Sequence, residues 1–289
     1  MKPSRSTFLD ARGLRYHCRE WGDPGAPLVF MTHGWMDVSA SFQFLVDALR
    51  GDWHVVAPDW RGYGLTEWSG ADAYWFPDYL ADLEVLLDHY SPQRPTNLLG
   101  HSMGGNIACL YAGIRPGRVA RLVNLEGFGL ADAKPADAPR RYRRWLDSLA
   151  STQRFRNYAS VAELAERMRE RNPRLTAERA AFFAEHWGQL DPDGRVRLLS
   201  DPAHKRINPV AYRLEEAKAC WRAITAPVLW IDGEESPTLK DLRIHAEDYA
   251  DRKSSFAALV EHVIPEAGHM VHHDQPEAVA ALVEPFLAR

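Results

Sequence analysis

Cysteine is scarce in this chain of 289 residues: only Cys18, Cys109 and Cys220 occur, an odd number at wide spacings. That argues against a disulfide framework and against a zinc site built on thiolates. Long apolar runs are missing too. No stretch approaches the roughly 20 residues that cross a bilayer. The opening residues Met1 to Asp10 carry Lys2 and Arg5 but no apolar segment, so neither a membrane span nor a signal peptide is expected. Basic excess is also lacking. With 35 Lys and Arg against 39 Asp and Glu, the formal charge is −4, which offers no electrostatic footprint for nucleic acid or an anionic membrane. The expectation is a reduced, cytoplasmic protein. With 46% hydrophobic and 26% charged residues, the chain can bury a large core without disulfides or metals.

Short apolar runs punctuate the chain. Phe8–Asp10 and Leu14–Trp21 flank Ala11-Arg12-Gly13 and read as a hairpin. Leu28–Thr32, His54–Asp59, Thr96–Gly100, Arg121–Leu125 and Pro227–Asp232 are nearly continuous in apolar residues. Strands covered on both faces by helices have this pattern. Between them, Tyr79, Leu83, Leu86, Leu87 and Tyr90 recur at helical spacing, and Leu242, Ile244, Ala246 and Tyr249 suggest a second helix. Pro276 is placed to open a third through Val279, Leu282 and Phe286. Alternation of this kind predicts a mostly parallel α/β sheet. From about Leu130 to Ala226 the strand signal almost vanishes, which predicts a helical insertion between two strands.

Gly100-His101-Ser102-Met103-Gly104 lies between a strand and a helix. Glycine two positions either side of a serine suits a sharp turn in which strand and helix approach too closely for side chains. Such a turn lifts the serine hydroxyl clear of the sheet and marks Ser102 as a nucleophile. The bland alternative is a glycine-rich turn with an incidental serine. Here the chain resembles the α/β-hydrolase family, in its lidded serine-esterase type, over its whole length. That resemblance implies an eight-stranded, mostly parallel sheet flanked by helices, with a helical cap inserted after the sixth strand. It divides the chain into a core of residues 1–129 and 227–289 and a cap of residues 130–226.

Thr32-His33-Gly34-Trp35 resembles the family's His-Gly turn after the third strand. By resemblance, the backbone N–H groups of Trp35 and Met103 form the oxyanion hole, and Trp35 and His101 border the substrate pocket. Asp59-Trp60-Arg61-Gly62-Tyr63-Gly64 resembles a bracing segment and stays outside the catalytic set. Gly268-His269 resembles the Gly-His before the closing helix, which makes His269 the general base. A metal site using His269 with His272 and His273 is the competing reading, without a clear carboxylate or cysteine set beside it.

The acid is displaced. Many relatives carry Asp in Gly-x-x-Asp after the seventh strand of the sheet. Here Gly233-Glu234-Glu235-Ser236 puts serine at that place, and serine supplies no charge. Glu126, after the sixth strand, is the first choice and Glu235 the second, with Glu234 and Asp232 remaining. Serine at the turn excludes the aspartate-nucleophile branches, dehalogenases and epoxide hydrolases. The implied chemistry is hydrolysis of a small-molecule carboxylic ester through an acyl-enzyme, without metal or organic cofactor. Open alternatives are acyl transfer, amide, lactone or carbon–carbon hydrolysis, perhydrolysis, or a non-catalytic ligand-binding member of the fold. Monomer and homodimer both remain open. In the insertion, Trp145, Phe155, Tyr158, Phe182, Phe183, Trp187 and Trp221 are expected mainly to pack its own core, and Arg140-Arg141-Tyr142-Arg143-Arg144 to form a solvated helix face.

Overall fold

The computed structural model describes all residues, Met1 to Arg289. Ten strands form in chain order: β1 (Ser4–Ala11), β2 (Leu14–Trp21), β3 (Leu28–Thr32), β4 (His54–Pro58), β5 (Thr96–His101), β6 (Val119–Leu125), β7 (Gly188–Leu190), β8 (Val196–Leu198), β9 (Val228–Gly233) and β10 (Leu259–Ile264). Eight make one sheet in the order β1-β2-β4-β3-β5-β6-β9-β10. The hairpin β1–β2 and the β2–β4 pair are antiparallel; every other pair in this sheet is parallel. The expected mostly parallel sheet of eight strands is what forms.

The core strands are apolar because both faces are covered. Every residue of β4 and β9 is buried, and two clusters of 33 and 22 buried residues lie on opposite sides of the sheet. Helix Phe76–Tyr90 buries Tyr79, Leu83, Leu86 and Leu87, the face its spacing predicts. Pro276 occupies the first turn of helix Pro276–Leu287.

Three local expectations need correction. Leu242 and Ile244 do not share a helix with Tyr249: Thr238–Asp241 and Ala246–Lys253 are separate helices, broken where Arg243 takes φ +57°. The segment after β6 is not purely helical, since β7 and β8 pair across a turn at Gly194, φ +75°. Asp191-Pro192-Asp193-Gly194 is the turn signal that the helical composition around it masks. Trp221 packs parallel to Phe256, with ring centroids 5.5 Å apart, within the larger cluster on the sheet. Helix Leu214–Arg222 therefore lies with the sheet rather than with the rest of the insertion.

Topology places the ends of β3 and β5 at the point where chain order reverses. From β3 the chain moves to β4 on one side, and from β5 it proceeds to β6, β9 and β10 on the other. Crevices at the carboxyl ends of strands open at such a switch point.

Candidate active site

The register brings four loops together. His101 pairs with Leu125 and Leu125 with Ile231, while Gly233 pairs with Ile264. Residues just past these strand ends are therefore neighbours: Ser102 after β5, Glu126 after β6, Ser236 after β9 and His269 after β10. Backbone bonds extend the ladder into the loops, with Ser102 N–H donating to Leu125 O at 2.8 Å and Glu126 N–H to Ile231 O at 3.0 Å.

Ser102 has φ +52° and ψ −115° and immediately precedes helix Met103–Ile114. A non-glycine residue in that region is strained, and the surroundings must hold it there. The flanking glycines show why no side chain fits. A Cβ on Gly100 would lie 2.4 Å from Gly104 O, and one on Gly104 would lie 2.2 Å from Thr32 O. Glu126, at φ +57°, is a second strained residue in the site.

One imidazole joins the two. His269 Nε2 is 2.9 Å from Ser102 Oγ and Nδ1 is 2.9 Å from Glu126 Oε2. An ionised carboxylate only accepts, so Nδ1–H donates to Glu126 and Nε2 accepts from the serine hydroxyl. Glu126 is buried, and desolvation raises its pKa against the opposing pull of His269, Ser236 and the Gly233 N–H. That N–H donates to Oε1 at 2.6 Å, and the Ser236 hydroxyl donates to Oε2. Ser236, the uncharged residue at the expected place of the acid, thus supports the carboxylate of Glu126. Sequence reasoning sees this serine only as a missing acid.

The other acidic candidates are engaged elsewhere. Glu235, the second choice, is half exposed and ion-paired with Arg174. Asp232 accepts from Trp230 Nε1 at 2.7 Å, from Lys253 Nζ at 2.9 Å and from the Tyr249 hydroxyl; Glu234 is exposed. Neither Glu235 nor Asp232 hydrogen-bonds His269.

Around this set lies a further layer of hydrogen bonds, in which Asp37 and Asp274 have no sequence signal pointing to them. His101 Nε2–H donates to His269 O at 2.8 Å, which fixes the loop carrying His269. Asp274 Oδ2 accepts from Gly268 N–H at 2.8 Å, while its Oδ1 accepts from Asn172 of the insertion at 2.6 Å. Burial depresses the pKa values of His101, His272 and His273, keeping all three neutral near pH 7. Asp37, His101 and His272 offer ligand atoms within 4.8 Å of one another, all buried; His269 and His273 are not in that group. Asp37 is held by the Ser41 hydroxyl and the Val38 N–H, each at 2.8 Å.

A pocket of about 590 Å³ opens over Ser102 and His269. Both expected pocket residues, Trp35 and His101, line it, and Trp35 stays exposed. Gly34 stands close to Ser102: a Cβ there would be 3.2 Å from Ser102 Cβ. The insertion forms the opposite wall. Phe155, Tyr158, Phe183 and Trp187 face the cavity, so these aromatics do more than pack the insertion's interior. Helix Ala138–Leu149, carrying the Arg140–Arg144 run, buries none of its residues, as expected of a solvated face. Arg61 makes paired bonds of 2.5 and 2.6 Å to buried Asp82, the bracing part read for its segment. No helix is long and apolar enough to cross a membrane.

Comparison with known proteins agrees with this architecture. The sequence pattern of the alpha/beta hydrolase fold matches residues 27–276. A serine hydrolase-like protein of Danio rerio is 28% identical over 92% of this chain and 83% of its own length. The 3-hydroxybutyrate-oligomer hydrolase of Cupriavidus necator is 30% identical over 92% of this chain and 90% of its own. Among solved structures, a thioesterase domain from the curacin biosynthetic pathway superposes with a TM-score of 0.87, at 25% identity, covering 99% of this chain and 100% of that one.

Proposed function

The chain belongs to the α/β hydrolase fold family, with hydrolases among its relatives, and we propose that it is a serine hydrolase cleaving carboxylic esters. The observation carrying this reading is the imidazole of His269, 2.9 Å from Ser102 Oγ on one side and 2.9 Å from Glu126 Oε2 on the other. Ser102 is the nucleophile, His269 the general base and Glu126 the acid that fixes the tautomer and stabilises the imidazolium.

Ser102 Oγ attacks the ester carbonyl as His269 Nε2 takes its proton. The resulting oxyanion is stabilised by the N–H groups of Met103, at a helix N-terminus, and of Trp35, which follows Gly34. Collapse expels the alkoxide, which receives the proton from His269, and leaves an acyl-Ser102. Water, deprotonated by the same imidazole, then releases the acid and restores the hydroxyl. Residues 1–129 and 227–289 supply this chemistry. Residues 130–226 act as a cap that walls the pocket, apart from their last helix, which covers the sheet.

The one sequence feature favouring a non-catalytic binder is the missing Gly-x-x-Asp acid, and the Glu126–His269 hydrogen bond supplies a carboxylate in its stead. Two assays test the proposal: turnover of short p-nitrophenyl esters and covalent labelling by a fluorophosphonate. Both are expected for the native chain and neither for Ser102→Ala. A native protein that resists the label and hydrolyses no ester would sink it.

A further inference from the structure

We infer that the pocket selects esters whose molecule carries a carboxylate, held by Arg171 and Lys205 of the insertion, away from the scissile carbonyl. This rests on the ester reading of Ser102 and adds a substrate class to it.

The ionised lining of the pocket is lopsided. Four cationic side chains border it, Arg156, Arg167, Arg171 and Lys205, all from the insertion, against one acidic side chain, Asp37. Asp37 is buried, and desolvation pushes its carboxyl up to about 7, so even when ionised it offsets at most one of the four positive charges. Two of the cations are matched locally: Arg156 pairs with Glu163 at 2.5 Å and Arg167 with Glu170 at 2.7 Å. Arg171 forms no ion pair. Lys205 Nζ donates to Arg154 O at 2.8 Å and lies 5.1 Å from the centroid of the Phe155 ring, but no carboxylate answers it. The chain as a whole carries −4, so the positive pocket is a local feature set against the global balance. A cleft with low-dielectric walls focuses such a field on the ligand inside it.

These cations are also positioned. Arg167 and Arg171 are four residues apart on helix Val161–Arg171 and so share a face. The residue following that helix, Asn172, donates to Asp274, and Asp274 accepts from Gly268, next to His269. Arg174 pairs with Glu235 in the loop after β9. The cationic wall is thus tied to the loops that hold His269 and Ser236. Leu164, Met168 and Leu175 supply apolar lining from the same part of the insertion. The matching ligand has an ester carbonyl at Ser102, an apolar linker and an anionic end. Guanidinium suits a carboxylate because its planar fork matches both oxygens. The Arg140–Arg144 run does not line the pocket.

The test compares monomethyl adipate with dimethyl adipate, equal in chain length and different in charge, by titrating released acid. Expected is a kcat/KM at least about tenfold higher for the monoester at low ionic strength, shrinking as salt screens the field. In Arg171→Gln/Lys205→Gln the preference should vanish through a KM that rises more for the monoester than for dimethyl adipate. Equal kcat/KM for the two esters, or a preference that survives the double substitution, overturns the inference and leaves the ester reading standing. Turnover of neither ester would count against the ester reading instead. Calorimetry on Ser102→Ala then decides the inference alone: tighter binding of the monoester supports it, and equal binding overturns it.

Discussion

On the sheet side of the pocket, Ser102, Glu126 and His269 leave the ends of strands joined in register, and backbone bonds continue past each strand end. On the insertion side, the wall rests on an apolar cluster of eight buried residues, against 33 and 22 on the faces of the sheet. One helix there buries nothing. The first region holds Ser102 and Glu126 in strained backbone because a large core over-determines their positions. The second presents long, mostly exposed cationic side chains over a smaller core, held by surface ion pairs and a few hydrogen bonds, which is the composition of a region of lower local stability. Chemistry is assigned to the rigid wall and selection to the adaptable one.

The sharpest break of this division comes from the sheet side. Ser102→Ala should lower kcat/KM by roughly 10⁶-fold and Glu126→Gln by about 10⁴-fold, whereas Glu235→Gln should stay within a few-fold of the native enzyme. Steady-state kinetics on one ester series measures all three. Stability should run the other way for Glu126. Burial raises its folded pKa above the unfolded value, so the ionised group destabilises the fold above that pKa, and stability is regained as pH falls through it. Glu126→Gln should therefore melt no lower than the native chain at pH 7, although it is nearly inactive. A large fall in Tm would mean that this carboxylate is mainly structural.

Next in size is the brace beneath the site. Arg61→Ala leaves Asp82 buried, with Arg12 at 3.1 Å as its remaining ion-pair partner. Breaking a buried pair from one side costs about 3 kcal/mol or more, readable as a shift in urea midpoint. Truncations confined to the exposed face of the insertion should cost far less, and if they match Arg61→Ala the contrast in rigidity fails.

How much of this was legible in the residues follows the same division. Strands β3 to β6 and β9 announce themselves as apolar runs because both their faces are covered. β10, Leu259–Ile264, exposes most of its residues at the sheet edge and carries no such run, so only the family resemblance implied an eighth strand. Ser102 is readable because the local backbone demands glycine on both sides of it, whereas His269 is readable through the resemblance of its Gly-His segment, since Gly268 has room for a side chain. Glu126 could be ranked but not assigned: its partnership with His269 depends on the pairing of β6 with β9, a contact between segments about 100 residues apart. Ser236 has no local signature for donating to that carboxylate. In the insertion, helical spacing marks apolar faces without telling which of them turns to the pocket, so Phe155 and Trp187 look the same as core aromatics. The densest cationic run in the sequence is Arg140–Arg144, while Arg171 and Lys205, which line the cavity, lie outside that run.

A smaller effect probes the layer between the two walls. The Asp37 carboxyl, raised to about 7 by burial, is ionised in the folded chain above that pH and neutral below it, whereas in the unfolded chain it stays ionised well below. Its charged form therefore weakens the fold at alkaline pH, and the penalty fades as pH falls through about 7. Asp37→Asn keeps an acceptor for the Ser41 hydroxyl and removes the charge. Its Tm relative to the native chain should be higher at pH 8 than at pH 5 by about 2–4 °C. An offset that is the same at both values would show that Asp37 does not titrate in this range.

The smallest expected effect is the control that gives the others meaning. Arg143 lies on helix Ala138–Leu149, exposed and without an ion pair, within the densest run of positive charge in the sequence. An exposed charge gains little from neighbours in high dielectric, and like-charged Arg140, three residues before it, offsets what support Asp147, four residues after it, could give. Arg143→Ala should alter stability by no more than about 0.5 kcal/mol and leave kcat/KM for monomethyl adipate unchanged. Arg171 belongs to the same insertion but faces the pocket. If Arg143→Ala lowered kcat/KM for the monoester as much as Arg171→Gln does, the anion preference would come from long-range steering by the whole insertion, and the pocket wall would lose its special place.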